Sequence, residues 1–348
     1  MKKSSNKNYL PKTGKRASLG VALDDHAVSY VEALGTPHGL SITRFGEVHL
    51  ETDSGDKEER AQELASIFKA LHNRSKTKTL QVAIPDGTAT FFEMVLPESD
   101  PFLLEHLVER EVKKSLGDGH NFVLQTEILY REKNNTKVAV TMLPQDPIDR
   151  MKEIAKKTNF NLEYVGLATE VTAELVGKDD AASIFITIKA HETSITILSK
   201  GSLVVEEEVP TGTDVWVEKI VDQFDIAHDA AEESLFFEGI SMTAKNGVLG
   251  ILRGEFRKIT EAAEKLFLYW HVDCRKEKEC KVGQVTLVGI GATIPGLAGY
   301  LETALNIEVK TPEPFKGLKF IDEVPEMTEA ESLHYLPALS LALRGLLK

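Results

Sequence analysis

Two stretches of this chain carry the same rhythm of apolar and polar positions. Residues 17–23 form a short buried-looking run, pass through Asp24-Asp25-His26, and enter an alternating segment at 27–33. Residues 183–188 form a second such run, pass through Lys189-Ala190-His191-Glu192, and enter the alternating segment 193–198. Period-two alternation bounded by polar turns predicts strands. Each pair turns at a glycine into a third strand, 39–50 and 201–209, and then into helical periodicity at 58–72 and 215–224. A β-β-β-α unit met twice in one chain points to an internal duplication.

Between the two copies the pattern changes. Residues 80–84 read as a strand closed by Pro85-Asp86-Gly87, and 89–96 as another. Phe102, Leu103, Leu107, Val108, Val112 and Leu116 recur at helical spacing over 101–116. Strands follow at 123–130 and 137–143, an amphipathic helix at 146–158, and a strand at 162–166. This region, 80–166, is expected to be an inserted α/β subdomain of about eighty residues. A connecting helix is expected within 167–182 and the second repeat over 183–325, with helices at 227–238 and 250–271. A terminal helix rich in Leu and Ala, within 326–348, is expected to return to the first repeat, which occupies 17–79. Residues 1–16 are basic and polar and read as a disordered tail.

The chain has 348 residues, 42% hydrophobic and 27% charged, with a formal net charge of −13. An acidic surface repels phosphate backbones and anionic lipid, which argues against nucleic acid or bare membrane as partners. No run reaches the apolar length needed to span a bilayer, and no hydrophobic core follows the basic start, so neither direct membrane insertion nor a secretory signal is expected. Leu10-Pro11-Lys12-Thr13-Gly14 spells a sorting signal in the wrong place, without an anchor behind it. Cys274 and Cys280 are too few for a disulfide framework. His271, Cys274 and Cys280 give three of the four ligands a structural zinc wants, and their surroundings read as a solvated helix end, so no metal is expected.

The sharpest local feature is the strand 285–288 followed by Gly289-Ile290-Gly291-Ala292-Thr293-Ile294-Pro295-Gly296 and a helix over 297–305. Gly289 and Gly291 permit close backbone approach to a planar or anionic ligand, and tight strand-to-helix turns also use glycine for purely steric reasons. Together with the duplicated unit, the insertion, Val209-Pro210-Thr211-Gly212, Asp229-Ala230-Ala231-Glu232-Glu233, Pro295-Gly296-Leu297 and the ending Ser340-Leu341-Ala342-Leu343-Arg344-Gly345-Leu346, the chain resembles the actin-like ATPase superfamily. Within it, it is similar to the PilM family of type IV pilus assembly proteins, relatives of FtsA. The resemblance covers the chain from about Ser18 onward and rests on order and spacing.

That resemblance implies an α/β fold of the actin type: duplicated ribonuclease-H-like β-β-β-α units with an inserted small subdomain. It also implies a nucleotide cleft between the halves, with Asp24, Asp25, His26, Lys189, His191, Gly212, Gly289 and Gly291 at the cleft positions. The superfamily's two Asp-x-Gly phosphate turns are altered here. Ala22, Leu23 and Asp24 stand at the first, Thr187, Ile188 and Lys189 at the second, and Ile290 replaces the middle glycine of the adenosine turn. A carboxylate 4 Å from a phosphate costs about 1 kcal/mol in water and about 4 kcal/mol at an effective dielectric of 20. Asp24 and Asp25 therefore oppose a bound nucleotide, while Lys189 and His191 offset them or pair with them across a closed cleft. His26 and His191 occupy equivalent turns of the two repeats.

The expectation is a scaffold without ATP hydrolysis and with no cofactor; the alternative is an ATP/Mg-binding ATPase of the same superfamily. The family implies a cytoplasmic protein held at the inner face of the membrane by the N-terminal tail of a PilN-like inner-membrane protein. Pilus motor ATPases and self-association are further implied contacts.

Overall fold

The computed structural model describes residues 15–346 apart from 25, 38, 53–56, 117–120, 177–181, 200, 241–246, 274–281 and 322–328. The tail expected at 1–16 thus lies mostly outside the described residues, as do Asp25, Cys274 and Cys280.

The first half opens with an antiparallel meander, β1 (Arg16–Leu23), β2 (Ala27–Thr36) and β3 (Gly39–His49), followed by α1 (Lys57–Arg74) and β4 (Thr79–Ile84), which runs parallel to β1. β5 (Thr90–Pro97), α2 (Pro101–Leu116), β6 (Phe122–Arg131) and β7 (Asn135–Pro144) then leave the sheet. The chain returns through α3 (Gln145–Lys157) to β8 (Asn161–Leu167), parallel to β4, and crosses to the second half by α4 (Ala168–Val176).

There the meander recurs as β9 (Ser183–Ile188), β10 (Thr193–Ser199) and β11 (Ser202–Val209), followed by α5 (Thr213–Phe224) and α6 (His228–Glu233). A π-turn at Ser234–Glu238 extends α6, where the sequence pattern alone predicted one helix over 227–238. The long α7 (Val248–Asp273), β12 (Val285–Val288), α8 (Leu297–Leu305) and β13 (Val309–Lys310) complete this half. β14 (Lys319–Phe320) pairs with β3 and α10 (Leu336–Leu346) packs on the first sheet, while α9 (Glu329–His334) between them puts Leu333 into the core of the second half.

The strand orders display the duplication. The first sheet runs β14-β3-β2-β1-β4-β8 and the second β11-β10-β9-β12-β13. Apart from the added β14, each order is third, second, first, fourth, fifth strand of its repeat. The insertion is narrower than the expected 80–166. Residues 80–84 and 162–166 both belong to the first sheet, because β4 is hydrogen-bonded on one side to β1 and on the other to β8. Its Leu80–Ile84 stretch is buried throughout. A short apolar run of this kind shows burial on both faces and carries no mark of the sheet it enters. The inserted unit proper is the sheet β5-β7-β6 with α2 on one face.

Apolar packing holds the assembly together. α1 and α3 cover one face of the first sheet through Leu64, Phe68, Met151 and Ile154. α10 lies on the other face, with Ala338, Leu339, Leu341 and Ala342 wholly buried. Gly20 permits that approach, since a Cβ there would sit 2.0 Å from the Ala338 carbonyl oxygen. α7 and α8 fill the core of the second half through Phe256, Ile259, Leu266 and Leu301. The insertion contributes Leu129 and Ala139 to this same core. Two hydrogen bonds fix its register there: Thr141 Oγ1 donates to the Leu203 carbonyl (3.3 Å) and Gln125 Nε2 to Ser202 Oγ (2.8 Å). Among the described residues no helix is long and apolar enough to cross a membrane.

Candidate functional site: a cleft between the repeats

The duplication sets two equivalent turns facing each other. The β1–β2 turn closes with the Asp24 N–H donating to the Ala27 carbonyl (2.9 Å) and the His26 N–H donating to Asp24 Oδ1 (3.3 Å). Arg60 donates to the Asp24 carbonyl from α1 (3.0 Å). The β9–β10 turn closes with the Lys189 N–H donating to the Glu192 carbonyl (2.9 Å), and the Lys189 ammonium pairs with Glu192 Oε1 at 2.6 Å. His191 Nδ1 lies 3.3 Å from Asp214 Oδ2. Of the expected pairing of Lys189 and His191 with Asp24 and Asp25, the part with Asp25 lies outside the described residues; among the described residues each takes a carboxylate of its own half, because Glu192 is three residues away and Asp214 stands in the first turn of the helix behind. The two histidines do meet, with ring centroids 5.9 Å apart and planes at 82°.

The glycines of the cleft serve packing. Gly212 precedes α5, whose first amides donate into the β9–β10 turn: Thr213 N–H to the Lys189 carbonyl (3.1 Å) and Asp214 N–H to the Ala190 carbonyl (2.9 Å). A Cβ on Gly212 would lie 2.4 Å from the Ala190 oxygen. A helix N-terminus is a ready anion site when its amides are unpaired, and here two of them are taken by the chain's own turn. Gly289 and Gly291 face Ile188. Gly289, at φ +83°, would set a Cβ 2.3 Å from the Ile188 carbonyl, and one on Gly291 would meet Ile188 Cγ2 at 2.2 Å. The fully buried Ile188 thus occupies the hollow of the glycine turn.

Beneath the turns lies a carboxylate cluster that the sequence did not single out. Asp86 accepts from the Thr169 N–H (3.1 Å) and Oγ1 (2.6 Å), tying the end of β4 to the start of α4. Burial raises its pKa above the ordinary value against those hydrogen bonds. Glu170 accepts from the Leu203 N–H (2.9 Å), and burial raises its pKa too. Glu206, on β11, is pushed up to about 7, by burial first and then by the Asp86 charge. Burial lowers the Lys189 pKa, but Glu192, Asp86 and Glu206 together outweigh it and raise the pKa overall. In the sequence Asp86 reads as a turn former beside Pro85 and Gly87, and Glu206 as one of three consecutive glutamates on an edge strand. Neither residue type nor spacing marks them as neighbours 120 positions apart.

A concavity of about 380 Å³ lies between the insertion and the first half. Glu109 and Lys113 of α2, Asn121 and Phe122 at the start of β6, and Gln145 and Asp149 of α3 line it. Lys113 pairs with Glu109 at 2.6 Å, and Gln145 Nε2 donates to Asp149 Oδ1 at 2.8 Å. The walls carry both signs of charge and one aromatic ring.

Two repeats of one sheet order closed around a cleft define an actin-like protein, and solved structures agree. MreB5 of Spiroplasma citri bound to ADP superposes with a TM-score of 0.52 at 12% identity, covering 94% of this chain and 95% of that one. A MamK double helical filament superposes at 0.51 and 10% identity, covering 94% and 98%. A PilM–PilN type IV pilus biogenesis complex gives 0.68 at 19% identity, covering 94% and 98%. Comparison with curated protein sequences returns no match. The family described as type IV pilus assembly protein PilM matches residues 159–346, more than half of the chain. The chain belongs to that family.

Proposed function

We propose that this chain is a scaffold of a type IV pilus or related secretion machine that works without ATP hydrolysis and grips the N-terminal cytoplasmic tail of a PilN-like inner-membrane protein. The observation that carries the reading is the concavity between α2, β6 and α3. It joins an inserted subdomain to the main body, offers both charge signs, and is large enough for a few side chains of an extended segment. The similar solved structure is itself a PilM–PilN complex. On this reading the protein is cytoplasmic and is held at the inner face of the membrane by its partner, and motor ATPases are reached through the same assembly.

The cleft between the repeats supports the same reading. Metal-assisted phosphoryl transfer needs carboxylates on the metal and donors on the phosphates. Here the first-turn amides of α5 are engaged internally, Ile188 occupies the glycine turn, and Lys189 is paired with Glu192. Asp24, Asp25, His26, Lys189, His191, Gly212, Gly289 and Gly291 are on this view a retired site. No cofactor is required.

The test is titration of the purified chain with a synthetic peptide of the cytoplasmic tail of the PilN-like protein encoded beside it. Micromolar binding is expected, weakened at least tenfold in Lys113→Glu and Asp149→Lys while Arg257→Glu on α7 leaves it unchanged. Binding indifferent to all three, or none at all, would overturn the proposal. Calorimetry with Mg-ATP addresses the rival: a micromolar response would restore the ATP-binding reading.

A further inference from the structure

The histidine pair has a geometry that the scaffold reading does not use. His26 and His191 come from the equivalent turns of the two halves, so nothing local in sequence holds them together, and they are exposed at the mouth of the cleft. Two imidazoles bound to one ion at about 2.0–2.1 Å have ring centroids about 5–6 Å apart. The separation here is 5.9 Å. The χ2 torsion of histidine is broad and soft, so both rings can turn one nitrogen toward a common point. Asp214 lies 3.3 Å from His191 Nδ1, the place a carboxylate takes when it fixes the tautomer and leaves Nε2 free for a metal. Asp24, whose Oδ1 accepts the His26 N–H, adds negative charge beside the pair, and the nearby Lys189 is paired with Glu192.

We infer that His26 and His191 bind one borderline divalent cation, Zn²⁺ or Ni²⁺, between the two repeats, with Asp214 orienting His191 and water completing the coordination. Imidazole nitrogens suit these ions, whereas Mg²⁺ and Ca²⁺ prefer oxygen. Each half supplies one ligand, so the ion is a latch. It binds the closed cleft and is lost when the halves part, and it stabilises the closed form by mass action.

Isothermal titration of the full chain with Zn²⁺ alone tests this. A site is expected that disappears, or weakens at least tenfold, in both His26→Ala and His191→Ala, and weakens about 10–100-fold in Asp214→Asn. His228→Ala, which removes the histidine of an exposed His228–Asp229–Glu232 group elsewhere on the second half, should leave it intact. Zn²⁺ should also slow amide exchange in both turns of the parent and in neither turn of either histidine variant. Loss of the site in only one of the two histidine variants would place the ion within one half and overturn the latch. An unchanged titration in the His26→Ala/His191→Ala double variant would overturn the site altogether. Both rings are exposed, so the variants should fold, and a metal-free melting curve matching the parent checks it.

Discussion

Ile188 and its glycines show how one side chain redirects a motif. The Gly289 and Gly291 turn receives a branched side chain from β9. Gly291→Ala is expected to destabilise the chain by about 1–3 kcal/mol through overpacking. Adding Ile188→Ala in the same chain should recover part of that loss by opening the space the new methyl needs. Chemical denaturation of the two single variants and the double measures the coupling, and strict additivity would contradict the packing account. Glu206 gives a second residue-scale expectation. Its pKa is raised from 4.5 unfolded to about 7 in the fold, by burial and then by Asp86. The folded state therefore holds an extra proton between those values. Its contribution to stability is present below pH 4.5 and is lost as pH rises through 7. Glu206→Gln should flatten that slope, so the melting temperature of the variant should exceed that of the parent at pH 8 and approach or fall below it at pH 5.

Among the elements, α10 is the clearest case of sequence specifying place. Its Leu- and Ala-rich ending allows a buried helix, and the structure buries it on nearly all sides against β1, β2, β4 and α4. Leu339→Ala is expected to cost about 2–5 kcal/mol as a core cavity, read as a lowered urea midpoint with an unchanged slope. The meanders were equally legible, because a hydrophobic run, a polar turn and an alternating strand are properties of neighbouring residues. What stayed hidden was long-range pairing. β4 and β8 read as parts of the insertion because they flank it, and only hydrogen bonding to β1 assigns them to the first sheet. The site divides the same way. His26 and His191 were visible through the repeat, while Asp86, Glu170 and Glu206 became neighbours only when the sheets closed. Gly212 and Gly289 stood out in the sequence, but whether a glycine faces a ligand or a carbonyl is settled by the strand packed against it.

At the scale of the whole molecule, the insertion touches both halves. Its sheet follows β4 in the chain of the first half, yet Leu129 and Ala139 sit in the core of the second, with Thr141 and Gln125 bonded to β11. Leu129→Asp should break that dock by burying an unpaired charge. Thermal unfolding followed by differential scanning calorimetry should then split into two transitions where the parent shows one. A single unshifted transition would mean the halves cohere without the insertion. The same wedge has a mechanical consequence. A tail lodged beside α2 and pulled toward the membrane would pass its tension through the small sheet into β11. Such a tug would load the second half directly through the wedge, although the wedge belongs by chain order to the first.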